Sequence, residues 1–163
     1  MKIAQMFLDQ LENEATNSRK ALERVPEGRN DWKPHPKSMQ LGYLAILVAI
    51  MPGWIASMIE QDNLEIGYGQ APTGAARKDL LKMLDESVAK ARRALQSATD
   101  DHLMTRWQLL YKGNVIAEDS RYNMIRDVVF AHLAHHRGQL TVYLRLNDAL
   151  VPALYGGSAD ERL

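Results

Sequence analysis

His132 and His136, one helical turn apart, are the residues of this chain whose types and spacing could do chemistry. They sit in a segment where Tyr122, Ile125, Val129, His132, His136, Gln139 and Tyr143 recur at steps of three and four, the seam of a buried helix. The seam turns both imidazoles inward, where each needs a hydrogen-bond, charge or metal partner; leaving one unpaired costs roughly 1–3 kcal/mol. At i and i+4 the two side chains differ by about 40° around a helix, so each can aim one ring nitrogen at a single divalent ion. Leu133 stands where HExxH zinc proteases place their general base, which excludes that chemistry. His135 falls about 60° to the other side of His132 and is expected to pack at the edge of the stripe. Two imidazoles leave a divalent ion under-coordinated, so another protein group, a substrate or water would have to complete the site. Two readings therefore stand: a metal site, or a hydrogen-bonded polar core without metal.

The elements that must position this pair can be read from composition and pattern. At 163 residues the chain suits one domain spanning 1–163, long enough to bury a sizeable core. Lys plus Arg equals Asp plus Glu at 20 each, so no net field favours nucleic acid or an anionic membrane. Cysteine is absent, which removes disulfides and any protein thiol nucleophile; thiol chemistry would need an external thiol. The N-terminal MKIAQMFLDQLENEA lacks the uninterrupted apolar core of a signal peptide, and the expected location is the cytoplasm.

Four helices are predicted, with one irregular insertion. Helix one runs from about Lys2 to Val25, with Ile3, Met6, Phe7, Leu11, Ala21 and Leu22 inside, and Pro26-Glu27-Gly28 stops it. Ser38 is a candidate N-cap for helix two, from about Met39 to Gln61. Within it, Leu41 to Ile59 carries no charge and approaches the ~20 residues of a membrane span. The Pro52-Gly53 break and the ordinary amphipathic helices around it favour a core helix, partly in a subunit contact, and no membrane association. Asn63 to Gly74 holds three glycines and a proline and reads as a loop. Helix three spans roughly Ala75 to Ala98, with Leu80, Leu84, Val88, Ala91 and Leu95 inside. From Thr105 to Ser120 the period changes to alternation around Lys112-Gly113-Asn114, a short hairpin or irregular loop. Helix four runs from near Arg121 to about Asn147, followed by an apolar tail. Arg137 and Arg145 fall outside the stripe and are expected in surface or subunit salt bridges. Trp32, Trp54, Trp107 and Tyr143 are expected as core or pocket wall, and Met51 and Met58 as gap-fillers.

Four stretches, WKPHPKSMQLGYL, MPGW, HLAHHRGQLTVYLR and VPALYGGSADE, resemble the DinB-like, or YfiT-like, superfamily of metalloenzymes over nearly the whole chain. The resemblance implies an all-α, up-down-down-up four-helix bundle, commonly a homodimer, with a metal held by three histidines at one end. Two of the three map to His132 and His136. The third normally lies in helix two, a few residues before the MPGW-like segment, and its counterpart here is Leu47. No residue from Leu41 to Ile59 is His, Asp or Glu, so helix two cannot supply that ligand. A leucine there removes one metal bond and makes the pocket wall apolar. His35, His102, Glu118 and Asp119 are the candidates to replace it. Tyr43, Leu47, Met51, Gln139 and Tyr143 are expected to line the pocket.

By this resemblance the expected activity is transfer to, or isomerisation with, a low-molecular-weight thiol such as bacillithiol or mycothiol, on a zinc or nickel ion. The ion would lower the thiol pKa and hold the thiolate beside its electrophile. The alternative is a non-catalytic, metal-free dimer binding a hydrophobic small molecule, or acting in a stress response. The family's association with DNA damage implies no direct DNA contact here, because the chain is neutral.

Overall fold

The apolar run beginning at Leu41 has no polar face, and it is buried accordingly. In the computed structural model, which describes residues 2–67 and 74–162, the run forms α2 (Leu41–Ile50), a 3-10 turn (Met51–Gly53) and α3 (Trp54–Glu60). Pro52 has no N–H to give to an α-helical ladder, and the tighter turn accommodates it. Leu41, Leu44, Val48, Met51 and Ile55 are fully buried. The stretch is long and apolar enough to cross a membrane, but most of it lies inside this protein's own core. Ser38 does not cap α2. Gln40 occupies the N-cap and makes no side-chain capping bond.

Two amphipathic helices flank the run, α1 (Ile3–Leu22) and α4 (Arg77–Ser97). Their contacts run in opposite order, Arg19 with Asp85 and Glu12 with Arg92, so they are antiparallel. Leu80, Leu84, Val88, Ala91 and Leu95 face the core as expected, whereas Met6 of α1, expected inside, is exposed. The α2–α3 run is parallel to α4. A Cβ on Gly42 would come within 2.9 Å of Gly74, Gly53 lies against Ser87, and His102, in the short α5 (Asp100–Leu103), places Nε2 2.8 Å from the Ile59 carbonyl.

The expectation of an all-α chain is corrected by a three-stranded sheet of order β1-β2-β3. Strands β2 (Arg106–Tyr111) and β3 (Asn114–Ser120) form the anticipated hairpin. Its turn residues, Lys112 at φ 49° and Gly113 at φ 73°, both take the left-handed conformation that matches strand twist in a two-residue turn. A hairpin alone is marginal in water. The third strand is β1 (Asn63–Glu65), paired parallel to β2 with Leu64 opposite Leu109. It lies in the segment read from sequence as a loop, which held only one apolar residue between polar neighbours there; residues 68–73 of that loop fall outside the described residues. Arg121, 2% exposed, anchors the sheet. Its guanidinium donates to the Thr105 hydroxyl, the Arg106 and Gln61 carbonyls and the Asp62 carboxylate at 2.6–3.1 Å.

The last helical stretch is continuous but not uniform: α6 (Arg121–Met124), a π-helix (Ile125–Ala131) and α7 (His132–Leu146). A π segment holds more residues per turn, so a stripe extrapolated at 3.6 residues rotates as it crosses. After it, the buried set is Leu133, His136, Arg137, Leu140, Tyr143 and Leu144. Gln139 is thereby exposed, and Arg137, expected on the surface, has no exposure. Arg137 instead donates to the Glu14 carbonyl at 3.1 Å, the Ser18 hydroxyl at 3.0 Å, the Glu14 carboxylate and the Tyr155 hydroxyl. Arg145 keeps the expected exposed ion pair, with Asp160 at 2.6 Å.

Removing one partner of a buried ion pair strands the other charge, at about 3–5 kcal/mol. Glu14→Leu should therefore lower the unfolding free energy by about that amount. Adding Arg137→Met should recover most of it. Urea titrations with unchanged slope would read both, and a single-variant loss under ~1 kcal/mol would show the pair to be unimportant.

Candidate functional site

His132 is placed by the junction of the π-helix and α7, His136 by the next turn of α7. Their ring centroids are 4.4 Å apart. His135, exposed at the edge of the stripe, has its ring 5.2 Å from His136. Trp54 lies against the other side of His132, with centroids 6.2 Å apart. His136 donates from Nδ1 to Gln139 Oε1 at 2.9 Å. That bond puts the proton on Nδ1 and leaves Nε2 with the lone pair. Burial pushes the His132 pKa below the ordinary histidine value, and the neighbouring His136 and His135 add to the shift; the Val128 carbonyl opposes it in part. His132 is therefore neutral at neutral pH.

The four groups expected to replace the missing ligand are all engaged elsewhere. His35 is exposed in its loop and accepts the Lys37 N–H at 3.2 Å. His102 pairs with the Ile59 carbonyl. Glu118 accepts from Gln108 at 2.7 Å and from Arg106, and these contacts hold its carboxyl below the usual range. Asp119 accepts from Asn123 at 2.8 Å and from the Ser120 N–H, with the same effect. Leu47 is buried and offers no donor atom. Among the described residues, no three His, Cys, Asp or Glu converge as a metal-holding group. A three-histidine centre does not fit this donor set.

What does open at His132 is an apolar cavity of about 230 Å³. Its walls are Trp54 and Met58 from α3, Leu64 from β1 with Ile66 just beyond it, and Trp107 and Leu109 from β2. Val128 of the π-helix and His132 close it. The sheet is thus one wall and the helices the other. Of the residues expected to line a pocket, Tyr143 is buried with its hydroxyl 3.2 Å from the Met39 carbonyl and its ring edge on Trp32. Met51 is fully buried and Tyr43 half-buried in the helical core; neither these nor Leu47 and Gln139 border this cavity. The Trp54 and Trp107 walls follow the sequence expectation, while Leu64 and Ile66 carried no readable signal within a glycine-rich connection.

Two measurements check this geometry. The unfolded chain protonates His132 near 6.5, whereas the folded chain resists protonation until lower pH. Its contribution to stability is complete above that value and is lost as pH falls toward the folded pKa. Melting temperatures should fall below about pH 6.5, and His132→Gln should flatten that limb; parallel curves would refute the assignment. Protein loaded with zinc or nickel and then desalted should hold well under one equivalent, and His132→Ala/His136→Ala should change this little. Stoichiometric metal lost in that variant would show that a further ligand completes the pair.

A model of the DinB family matches residues 2–162. Among solved structures, a DinB-like protein from Bacillus cereus ATCC 10987 superposes with a TM-score of 0.70, at 22% identity, covering 91% of this chain and 95% of that one. No curated protein matches the sequence. The structural likeness speaks to the fold, and the family match to descent: with 2–162 matched, this chain belongs to the DinB family.

Proposed function

We propose that this chain binds a small apolar molecule without a metal ion, in the cavity between sheet and helices, whose wall presents apolar atoms. The observation that carries this reading is the conjunction at one place: a cavity of about 230 Å³ with apolar walls, and a histidine pair lacking a third donor. Concave, predominantly apolar pockets are the usual form of small-molecule sites. Burial favours the uncharged form of His132, so the cavity wall it borders sets no ion against an apolar guest.

Metal-dependent thiol transfer is the competing reading. The inward pair with rings 4.4 Å apart supports it, and the leucine at position 47 and the engaged state of the other candidates count against it. Ligand binding separates the two. Toluene at about ten times its Kd should stabilise the protein by about 1.4 kcal/mol, a shift of a few degrees in Tm. That shift should persist in EDTA and vanish in Leu64→Trp, which fills the cavity. Loss of the shift on chelation would overturn the metal-free reading, as would its persistence in Leu64→Trp.

A further inference from the structure

A second concavity, about 620 Å³, lies between the α3 side of the helical run and α4, and Trp54 borders both it and the apolar cavity. Because α3 and α4 are parallel, with Gly53 against Ser87, the groove has two chemically distinct ends. Before that contact lie the apolar Ile50 and Met83, with Glu86 directly beside it; after it lie the charged Glu60, Lys90 and Arg93. Among the described residues, neither Lys90 nor Arg93 has an ion pair or hydrogen bond, whereas on the α1 side of the same helix Asp85 and Arg92 are both paired. Glu86 sits 3.9 Å from Lys82. Ser87, only 9% exposed, lines the groove, and its hydroxyl has no partner among the described residues. The groove thus offers two cations unpartnered among the described residues, the Glu60 carboxylate, the Glu86 carboxylate already near Lys82, the Ser87 hydroxyl and an apolar floor.

We propose that this groove binds an amphipathic monocarboxylate. The tail lies on Ile50, Trp54 and Met83; the carboxylate lies between Lys90 and Arg93 and accepts from Ser87. An arginine fork and a lysine ammonium are the groups that hold a carboxylate by charge-assisted bonds. Glu60 at the same end opposes a second negative charge, which selects a monoanion over a dianion such as a phosphate monoester. The site is separate from the apolar cavity, and the proposal does not depend on that cavity being occupied.

Calorimetric titration with octanoate, n-octanol and octylamine tests it. Octanoate should bind at least about tenfold more tightly than octylamine. Lys90→Glu/Arg93→Glu, both at exposed positions, should weaken octanoate by about tenfold or more and change n-octanol by less than about twofold. Ser87→Ala should weaken octanoate a few-fold, and circular dichroism should show all variants folded. If the charge reversal perturbs folding, Lys90→Gln/Arg93→Gln should give the same ordering. Leu64→Trp, which fills the other cavity, should leave octanoate binding intact. Failure of octanoate to bind, unchanged binding in the charge variants, or loss of binding in Leu64→Trp would each overturn the proposal.

Discussion

A guanidinium cannot discharge itself at any working pH, so a fully buried arginine obliges the chain around it to supply acceptors. Arg137 is such a residue, and the elements that satisfy it come from both ends of the sequence. Glu14 and Ser18 reach it from α1, and the Tyr155 hydroxyl reaches it from the C-terminal tail while donating to Glu14 at 2.6 Å. Tyr155 is pushed up to about 12 by burial and by that carboxylate, so it remains a neutral donor throughout the physiological range. The tail is fastened further by Asp160 on the Val151 N–H and Arg145, and by Glu161 on the Ala153 N–H and Arg24. One buried charge thus fixes where α1, α7 and the tail meet. That contact sets the rotation of α7, and with it the direction of the histidines.

The π-helix accounts for the division of labour along the last helical stretch. Phe7 stacks on Tyr122, just before it, at 5.4 Å and meets Phe130, within it, at 5.7 Å, an aromatic contact that needs no polar group. Downstream, the rotated face carries His136 and Arg137 inward together. Without the extra residues per turn, Gln139 would take the inward position and Arg137 would point to solvent, as a uniform 3.6 period implies. The irregularity lies immediately before His132, whose ring the Val128 carbonyl of the π segment faces.

The helical part of the fold was legible because its signals are long and repeated. The Leu80–Leu95 stripe, the Leu41 run and the Pro26 stop each involve many residues acting in one direction. The hairpin showed through alternation and the Lys112-Gly113 turn. Strand β1 did not, since three residues paired along one edge leave no period to detect. The histidine pair was visible as a spacing, but its surroundings were not. A stripe cannot register a π segment, and Glu14 and Ser18, the α1 partners of Arg137, lie more than a hundred residues away. The signal that was present, Glu14 and Ser18 interrupting the apolar face of helix one, becomes meaningful only when a buried cation is known to stand opposite them.

The parallel pairing of β1 with β2 has a kinetic consequence. Leu64 and Leu109 face each other across it and both wall the apolar cavity, so the sheet is that cavity's door as well as its wall. The sheet is seated by the Arg121 anchor and by Trp107, fully buried in the main core, whereas its outer strand β1 is three residues long with only Leu64 half-buried. A short edge strand of this kind opens at a free energy well below that of global unfolding. Fraying of β1 therefore widens the way into the cavity while β2, rooted by Trp107, stays in place, so the guest's path and the strand's edge share one local motion.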